Sequence, residues 1–383
     1  MDINIDNYRT PGQLIEALLS AKGWTKRVLA LVLDIDETGI NHRLSDKRPI
    51  NAEFAISLEE VFGVPADSFL ELQKRYDLAK ERIKTQPDHK RKTRAQLFGG
   101  LPVTEMMSRG WLQADSIKDV AAIETGLTKF FNVKDADQIE ALPHAAKKTD
   151  AGKDLSLLQL AWLYRVKKIA EELLVPRYTQ DCALSAVKKL SSLLLSAEEI
   201  RKVPRILEEC GIRFVIVEAL KSSKIDGVCF WLDENSPVIG MSLRFDRIDN
   251  FWFVLRHELE HVIQQNGRES REIIIDSDLQ SESVEAETVI ADEERIANKA
   301  AADFCVPAKK MESFIARKSP FFKEIDILGF AKTINVHPGL VAGQIRNRTK
   351  KYNLYSNHLV KIRSIIIPSA AVDGWGNVYP VED

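Results

Sequence analysis

The chain has 383 residues, of which 45% are hydrophobic and 29% charged, with a formal net charge of −2. This length suits two or three domains with sizeable cores, and the composition excludes a low-complexity or disordered chain. Fifty-four basic against fifty-six acidic residues exclude a strongly basic nucleic-acid binder, although a local basic surface remains compatible with them. The start of the chain lacks the basic stretch and apolar core of a signal peptide. No run of about 18 apolar residues occurs, so no membrane span is expected. Cys182, Cys210, Cys229 and Cys305 form no CxxC pair and lie in apolar stretches. They read as buried free thiols of a reducing, cytoplasmic compartment.

Residues 9–80 read as a set of short helices without strands. The rhythm Leu14, Ile15, Leu18, Leu19 predicts a helix over 13–21 that ends at Gly23. Thr25 caps a second helix carrying Val28, Leu29, Leu31 and Val32. A third runs from about Asp36 to Leu44 with Ile40 and Leu44 facing inward, and helices at 52–62 and 65–80 flank Gly63. From Lys80 to Arg94 there are seven basic residues against Glu81 and Asp88, interrupted by Pro87. This segment reads as a solvated, partly helical linker. A helical region over 113–208 follows, broken near Lys147–Lys153.

The period then changes. Residues 212–217, 228–232 and 238–243 are β-branched and apolar and predict three strands, with 233–237 as the turn between the last two. A helix over 249–265 comes next, then an acidic stretch over 268–287 that contains Ile273, Ile274 and Ile275. Another helix over 291–305 stops before Pro307, helices continue to about Lys351, and 365–383 reads as an irregular tail.

His257 and His261 lie four residues apart on the helix at 249–265, about 40° apart around its axis, so both imidazoles can reach one ion. Glu258 is too close to the first histidine to join the same coordination easily. It is suited instead to accept a proton from a water that zinc acidifies. Phe251, Trp252, Phe253, Val254, Leu255, Val262 and Ile263 predict that this helix is largely buried, where an unpaired histidine pair is costly. A third ligand is expected on the Ala-rich helix over 292–302. Glu294 and Asn298 share a face there, whereas Glu293 points elsewhere. Strand 238–243, just before the metal helix, is expected to pair with an extended substrate.

The stretch from Phe251 to His261 resembles the metal helix of the ImmA/IrrE-type metallopeptidases. Glu294-Arg295-Ile296-Ala297-Asn298 through Pro307 is similar to that family's second motif, and residues 334–343, around His337-Pro338-Gly339, to its C-terminal signature. The resemblance covers about 210–360. It implies a gluzincin-like zinc site with His257, His261 and Glu294 as ligands, Glu258 as base and, one turn after Glu294 on the same face, Asn298 to orient a ligand histidine. Glu260 stands where the family usually has a small residue, a carboxylate that adds negative charge near the site. His337, Tyr352 and Tyr355 are candidates for either oxyanion stabilisation or a structural role. His42, His89, His144 and His358 lack ligand spacing.

Residues 10–79 resemble the Xre-type helix-turn-helix of HigA-like antitoxins, with Lys47-Arg48-Pro49-Ile50 matching the segment after its recognition helix. The resemblance implies that Thr38, Asn41, His42, Arg43 and Lys47 face a major groove. Against it, residues 1–80 hold ten basic and thirteen acidic residues, so a protein-docking or dimerisation module is the alternative.

The expected architecture is α+β and mostly helical. It comprises an all-α helix-turn-helix domain (1–80), a basic linker (81–112), a helical middle region (113–208), a gluzincin-like domain with a small antiparallel or mixed sheet (209–363) and a tail (364–383). The expected activity is that of a cytoplasmic zinc endopeptidase that cleaves a repressor, antitoxin or toxin partner and binds operator DNA, with a homodimer as a candidate assembly. A repressor or antitoxin whose metal domain senses a signal or holds a toxin without proteolysis is the alternative.

Overall fold

The computed structural model describes residues 5–85, 91–142, 155–269, 274–277 and 292–381. It is α+β and mostly helical, and it divides into two units, Met1–Arg91 and Lys92–Asp383. No helix among the described residues is long and apolar enough to cross a membrane.

The first unit holds α1 (Pro11–Lys22), α2 (Lys26–Val32), α3 (Glu37–Leu44), α4 (Ala52–Phe62) and α5 (Ala66–Lys84). Local chemistry sets their ends. Thr10, Thr25, Asp36 and Asn51 each accept a backbone N–H from the first turn of the helix they precede, and Gly23 and Gly63 close α1 and α4 in the left-handed conformation. Leu14, Ile15, Leu18, Leu29, Ile40, Leu58 and Phe69 form the common core.

The second unit begins with α6 (Arg91–Gly100), α7 (Val103–Ser108) and α8 (Val120–Phe131), followed by α9 (Leu157–Glu172), α10 (Gln180–Ser191) and α11 (Val203–Glu208). Strands β1 (Arg213–Val217), β2 (Ile225–Trp231) and β3 (Pro237–Met241) lead into α12 (Ile248–Ile263), the short β4 (Ile274–Ser277) and α13 (Asp292–Cys305). Helices α14 (Ala308–Lys318), α15 (Glu324–Ile334), α16 (Pro338–Thr349) and α17 (Arg363–Ile366) precede β5 (Ala371–Asp373). The five strands form one mixed sheet in the order β4-β2-β3-β1-β5. β1 runs parallel to both β3 and β5, and β2 runs antiparallel to both β3 and β4.

Both faces of the sheet are covered, which explains why its strands read as continuous apolar runs rather than alternating ones. Phe214, Ile216, Cys229, Trp231, Ile239 and Met241 point to the side of α12. Val215, Val217, Val228, Phe230 and Val238 point to the side of α9, against Trp162 and Val166.

Several expected boundaries are corrected. The segment 81–112 is not a linker throughout: α5 continues to Lys84, and α6 and α7 bury Leu97, Leu101, Val103 and Met106 in the core of the second unit. Their apolar spacing is masked in the sequence by the basic run beside it. The regions 113–208 and 209–363 share the cores on the two sheet faces and form one unit. The supposed tail supplies an edge strand, β5, whose Asp373 is almost wholly buried. Arg165 donates to Asp373 Oδ2 at 3.0 Å through Nε and again through Nη2, while Trp111 Nε1 donates to Oδ1 at 2.8 Å. A buried carboxylate so held ties the C-terminal segment to α9. Cys229 and Cys305 are buried as expected, but Cys182 and Cys210 form a disulfide with Cα atoms 5.2 Å apart. They are 28 residues apart in sequence, and only the packing of α10 on α11 brings them together. The expected break at Lys147–Lys153 lies outside the described residues.

Candidate metal centre and helix-turn-helix surface

Helix α12 runs beneath the sheet with all its residues buried except Phe253 and Arg256. On it the rings of His257 and His261 stand with centroids 4.8 Å apart, neither ring reached by solvent. Helix α13 packs closely against α12. Its Ala297 and Ala301 are fully buried at the contact, and their small side chains let the two backbones approach. That approach carries Glu294 to the histidine pair. Its Oε2 lies 3.3 Å from His257 Nε2, its Oε1 lies 3.4 Å from His261 Nε2, and the two Nε2 atoms are 3.1 Å apart. Among the described residues His257, His261 and Glu294 form the one cluster with metal-ligand geometry. Glu293, one residue earlier, is exposed.

These spacings fit a tetrahedral zinc ion, whose ligand atoms at about 2.0–2.1 Å stand about 3.3–3.4 Å apart. The protonation pattern fits as well. Asn266 Oδ1 lies 3.4 Å from His261 Nδ1, a position that favours the proton on Nδ1 and leaves Nε2 with its lone pair. Lone pairs of imidazole and carboxylate then converge in a buried site, which is costly unless a cation lies between them. Asn298 is half-buried on α13, and the amide that reaches a ligand histidine is Asn266, in the turn after α12, rather than Asn298 as expected. Asn266 is itself fixed: its N–H donates to His261 O and its carbonyl accepts from Trp231 Nε1, both at 3.0 Å.

Glu258 is fully buried and points at β2. A Cβ built on Gly227 would lie 2.1 Å from Glu258 Oε1, so only glycine leaves room for the carboxylate. Gly227 faces α12 by the ordinary alternation of β2, in step with Cys229 and Trp231, and the register against β4 shifts just before it, between Ile225 and Gly227. The sequence signal was a glycine inside an apolar strand, and it was missed. Glu260 does not load the site with unbalanced charge. Arg256 donates to its Oε2 at 2.6 Å and Gln264 to its Oε1 at 2.7 Å. The end of α12 is held from α10 and the segment before it. Tyr178 donates its hydroxyl to Val262 O at 3.2 Å and Gln180 its amide to Ile263 O at 2.8 Å. Burial pushes the Tyr178 hydroxyl up to about 12, so it stays a donor at any working pH.

Strand β3 cannot pair with a substrate, because β2 and β1 already occupy its two edges. Two of the candidates for oxyanion stabilisation, His337 and Tyr355, are engaged structurally. His337 caps α16, its Nδ1 accepting from Gly339 N at 3.0 Å. Burial, then the nearby His358, lowers its pKa and keeps the ring neutral for that task. Tyr355 donates its hydroxyl to Phe322 O at 2.9 Å; Tyr352 is exposed, and the bond from Arg346 goes to its backbone carbonyl. Trp375 has its ring against the guanidinium of Arg363.

In the first unit Thr38, Asn41, His42 and Lys47 are exposed on and after α3. Arg43 is different. It is half-buried, its guanidinium lies 4.2 Å over the ring of Phe54, and its Nη1 donates to Gly39 O at 3.2 Å. In this position the side chain packs α3 on α4. Desolvation lowers its pKa, with Arg48 adding to the effect.

Residues 14–69 match the helix-turn-helix family model, which spans α1 to the first turn of α5. No curated protein matches the chain. The N-terminal unit is thus a helix-turn-helix module of the kind that carries DNA-binding regulators.

Proposed function

We propose that this chain is a zinc-dependent, site-selective endopeptidase joined to a DNA-binding module. In this reading it acts in the cytoplasm, in transcriptional control or a toxin–antitoxin or stress response, by cutting a partner protein such as a repressor, antitoxin or toxin partner. The supporting observation is the convergence of His257 Nε2, His261 Nε2 and the Glu294 carboxylate inside the protein, with Glu258 adjacent to the first histidine. Two imidazoles and one carboxylate would hold the ion, the ligand number of catalytic zinc sites. Zinc, when bound, supplies Lewis acidity that acidifies water and polarises a peptide carbonyl.

The remaining chemistry belongs to the chain. Glu258 accepts the proton of the attacking water and then donates it to the leaving amine. Gly227 leaves the space in which that carboxylate sits, and Asn266 holds His261 in the tautomer that keeps Nε2 unprotonated. The helix-turn-helix brings this activity to operator DNA.

Incubation with the proteins encoded beside it tests the reading. Glu258→Gln should retain zinc and slow cleavage by at least about 10²–10⁴-fold, since an amide cannot take the proton. Equal rates in variant and parent would remove Glu258 as base. Absence of any cleavage by the zinc-loaded parent would favour the non-proteolytic regulator.

Gly227→Ala should also keep zinc while lowering kcat by at least roughly tenfold with little change in KM, because the new methyl displaces the base rather than the substrate. Parental kcat in this variant would contradict the placement of Glu258.

For DNA, Lys47→Ala should weaken operator binding and reduce the salt slope by about one, measured by fluorescence anisotropy at several salt concentrations. Arg43→Ala should instead lower the melting temperature of the module. An unchanged slope for Lys47→Ala would detach that residue from the DNA surface.

A further inference from the structure

The three parallel strands β3, β1 and β5 end on the same side of the sheet, and a cleft of about 300 Å³ opens there. It is lined by Glu218 and Ala219 after β1, Ser242 and Arg244 after β3, Trp375 after β5, the turn 220–224, and Arg363 of α17. The carboxyl end of parallel strands is the general location for ligands in sheets of this kind, and the volume lies at the small end of ligand pockets.

Its lining carries more cationic than anionic side chains. Lys221, Lys224, Arg244 and Arg363 line it, against the single carboxylate of Glu218. That carboxylate is engaged by the backbone, its Oε2 accepting from Trp375 N at 2.7 Å. Arg244 is held by Asp226 through two bonds of 3.1 and 3.2 Å, and Arg363 donates to Leu243 O at 3.2 Å and pairs with Asp246 at 3.9 Å, so both guanidinium groups are fixed at the cleft. Lys221 is exposed at the rim. The guanidinium carbon of Arg363 lies 4.5 Å from the Trp375 ring centroid, which sets an aromatic face beside the cations.

The backbone is unusual here too. Ser222, Lys224, Leu243, Asp246 and Trp375 all have positive φ, five of the twelve non-glycine residues with that conformation among those described. Such conformations persist where the surrounding structure holds them, and they concentrate at ligand sites.

We propose that this cleft binds a small phosphate monoester carried on a planar group, of the nucleoside monophosphate class. Lys221 and Arg363 take the phosphate, the guanidinium through its planar array of donors, and Trp375 takes the planar group. The site is separate from His257, His261 and Glu294 and requires no metal.

Calorimetric titration of the full chain with adenosine monophosphate, orthophosphate, adenosine and a phosphoserine peptide tests this assignment. The nucleotide should bind at least about tenfold more tightly than orthophosphate, as one stacked base contributes, and at least about tenfold more tightly than adenosine, which lacks the charge. Lys221→Glu should weaken nucleotide binding roughly tenfold. Trp375→Leu should abolish the preference for nucleotide over orthophosphate. Both variants should keep parental zinc content, which separates this site from the metal centre. No nucleotide binding, equal affinity for adenosine or orthophosphate, tighter binding of the phosphopeptide, or parental behaviour of both variants would each overturn the assignment.

Discussion

The packing of α13 on α12 is the contact on which the candidate site depends. Histidines at i and i+4 are common on helices and are no site by themselves. What makes them one is a carboxylate delivered from a second helix, at 3.3 and 3.4 Å from the two ring nitrogens. Ala297 and Ala301 permit that approach, and a larger side chain at either position would hold Glu294 away from the pair. Placing three lone-pair donors in a buried site carries a large desolvation cost, which a cation between them offsets.

The sheet supports this arrangement from the other side. Its α12 face receives Phe251, Trp252, Val254 and Leu255, which fix the rotation of the metal helix and so the direction of both imidazoles. Gly227 on β2 gives Glu258 its room, and Trp231 on the same strand holds Asn266 behind His261. The opposite face rests on α9, and Arg165 of that helix secures β5 through Asp373. One small sheet therefore braces the metal helix and, at the carboxyl ends of its parallel strands, forms the cationic cleft.

Features decided by neighbours in sequence were legible in it. Thr10, Thr25, Gly23 and Gly63 mark helix ends through local hydrogen bonds and local φ, and the five N-terminal helices are found near the positions these signals give. The placement of Glu294 rather than Glu293 beside the histidines followed from helical geometry together with the family-like pattern of a carboxylate and a polar residue one turn later. Features decided by distant packing were not legible. The disulfide Cys182–Cys210, the edge strand β5 and the stacking of Arg43 on Phe54 each join segments whose proximity only the fold creates. The exchange of Asn298 for Asn266 has the same origin. A helical wheel places Asn298 near Glu294, but the turn after α12 brings Asn266 to the ring nitrogen itself. The charge of Glu260 is balanced by Arg256 one turn earlier on the same helix, an i, i+4 pair whose geometry the sequence alone does not settle.

The central claim is that Glu294 completes a zinc site with His257 and His261. Zinc titration of the parent, Glu294→Ala and Glu293→Ala, read by competition with a chelating dye, tests it most directly. The account predicts about one zinc per chain for the parent and for Glu293→Ala. It predicts a loss of affinity in Glu294→Ala beyond the roughly 10–100-fold that an outer-sphere residue contributes. Parental zinc affinity in Glu294→Ala, or its loss in Glu293→Ala alone, would contradict it.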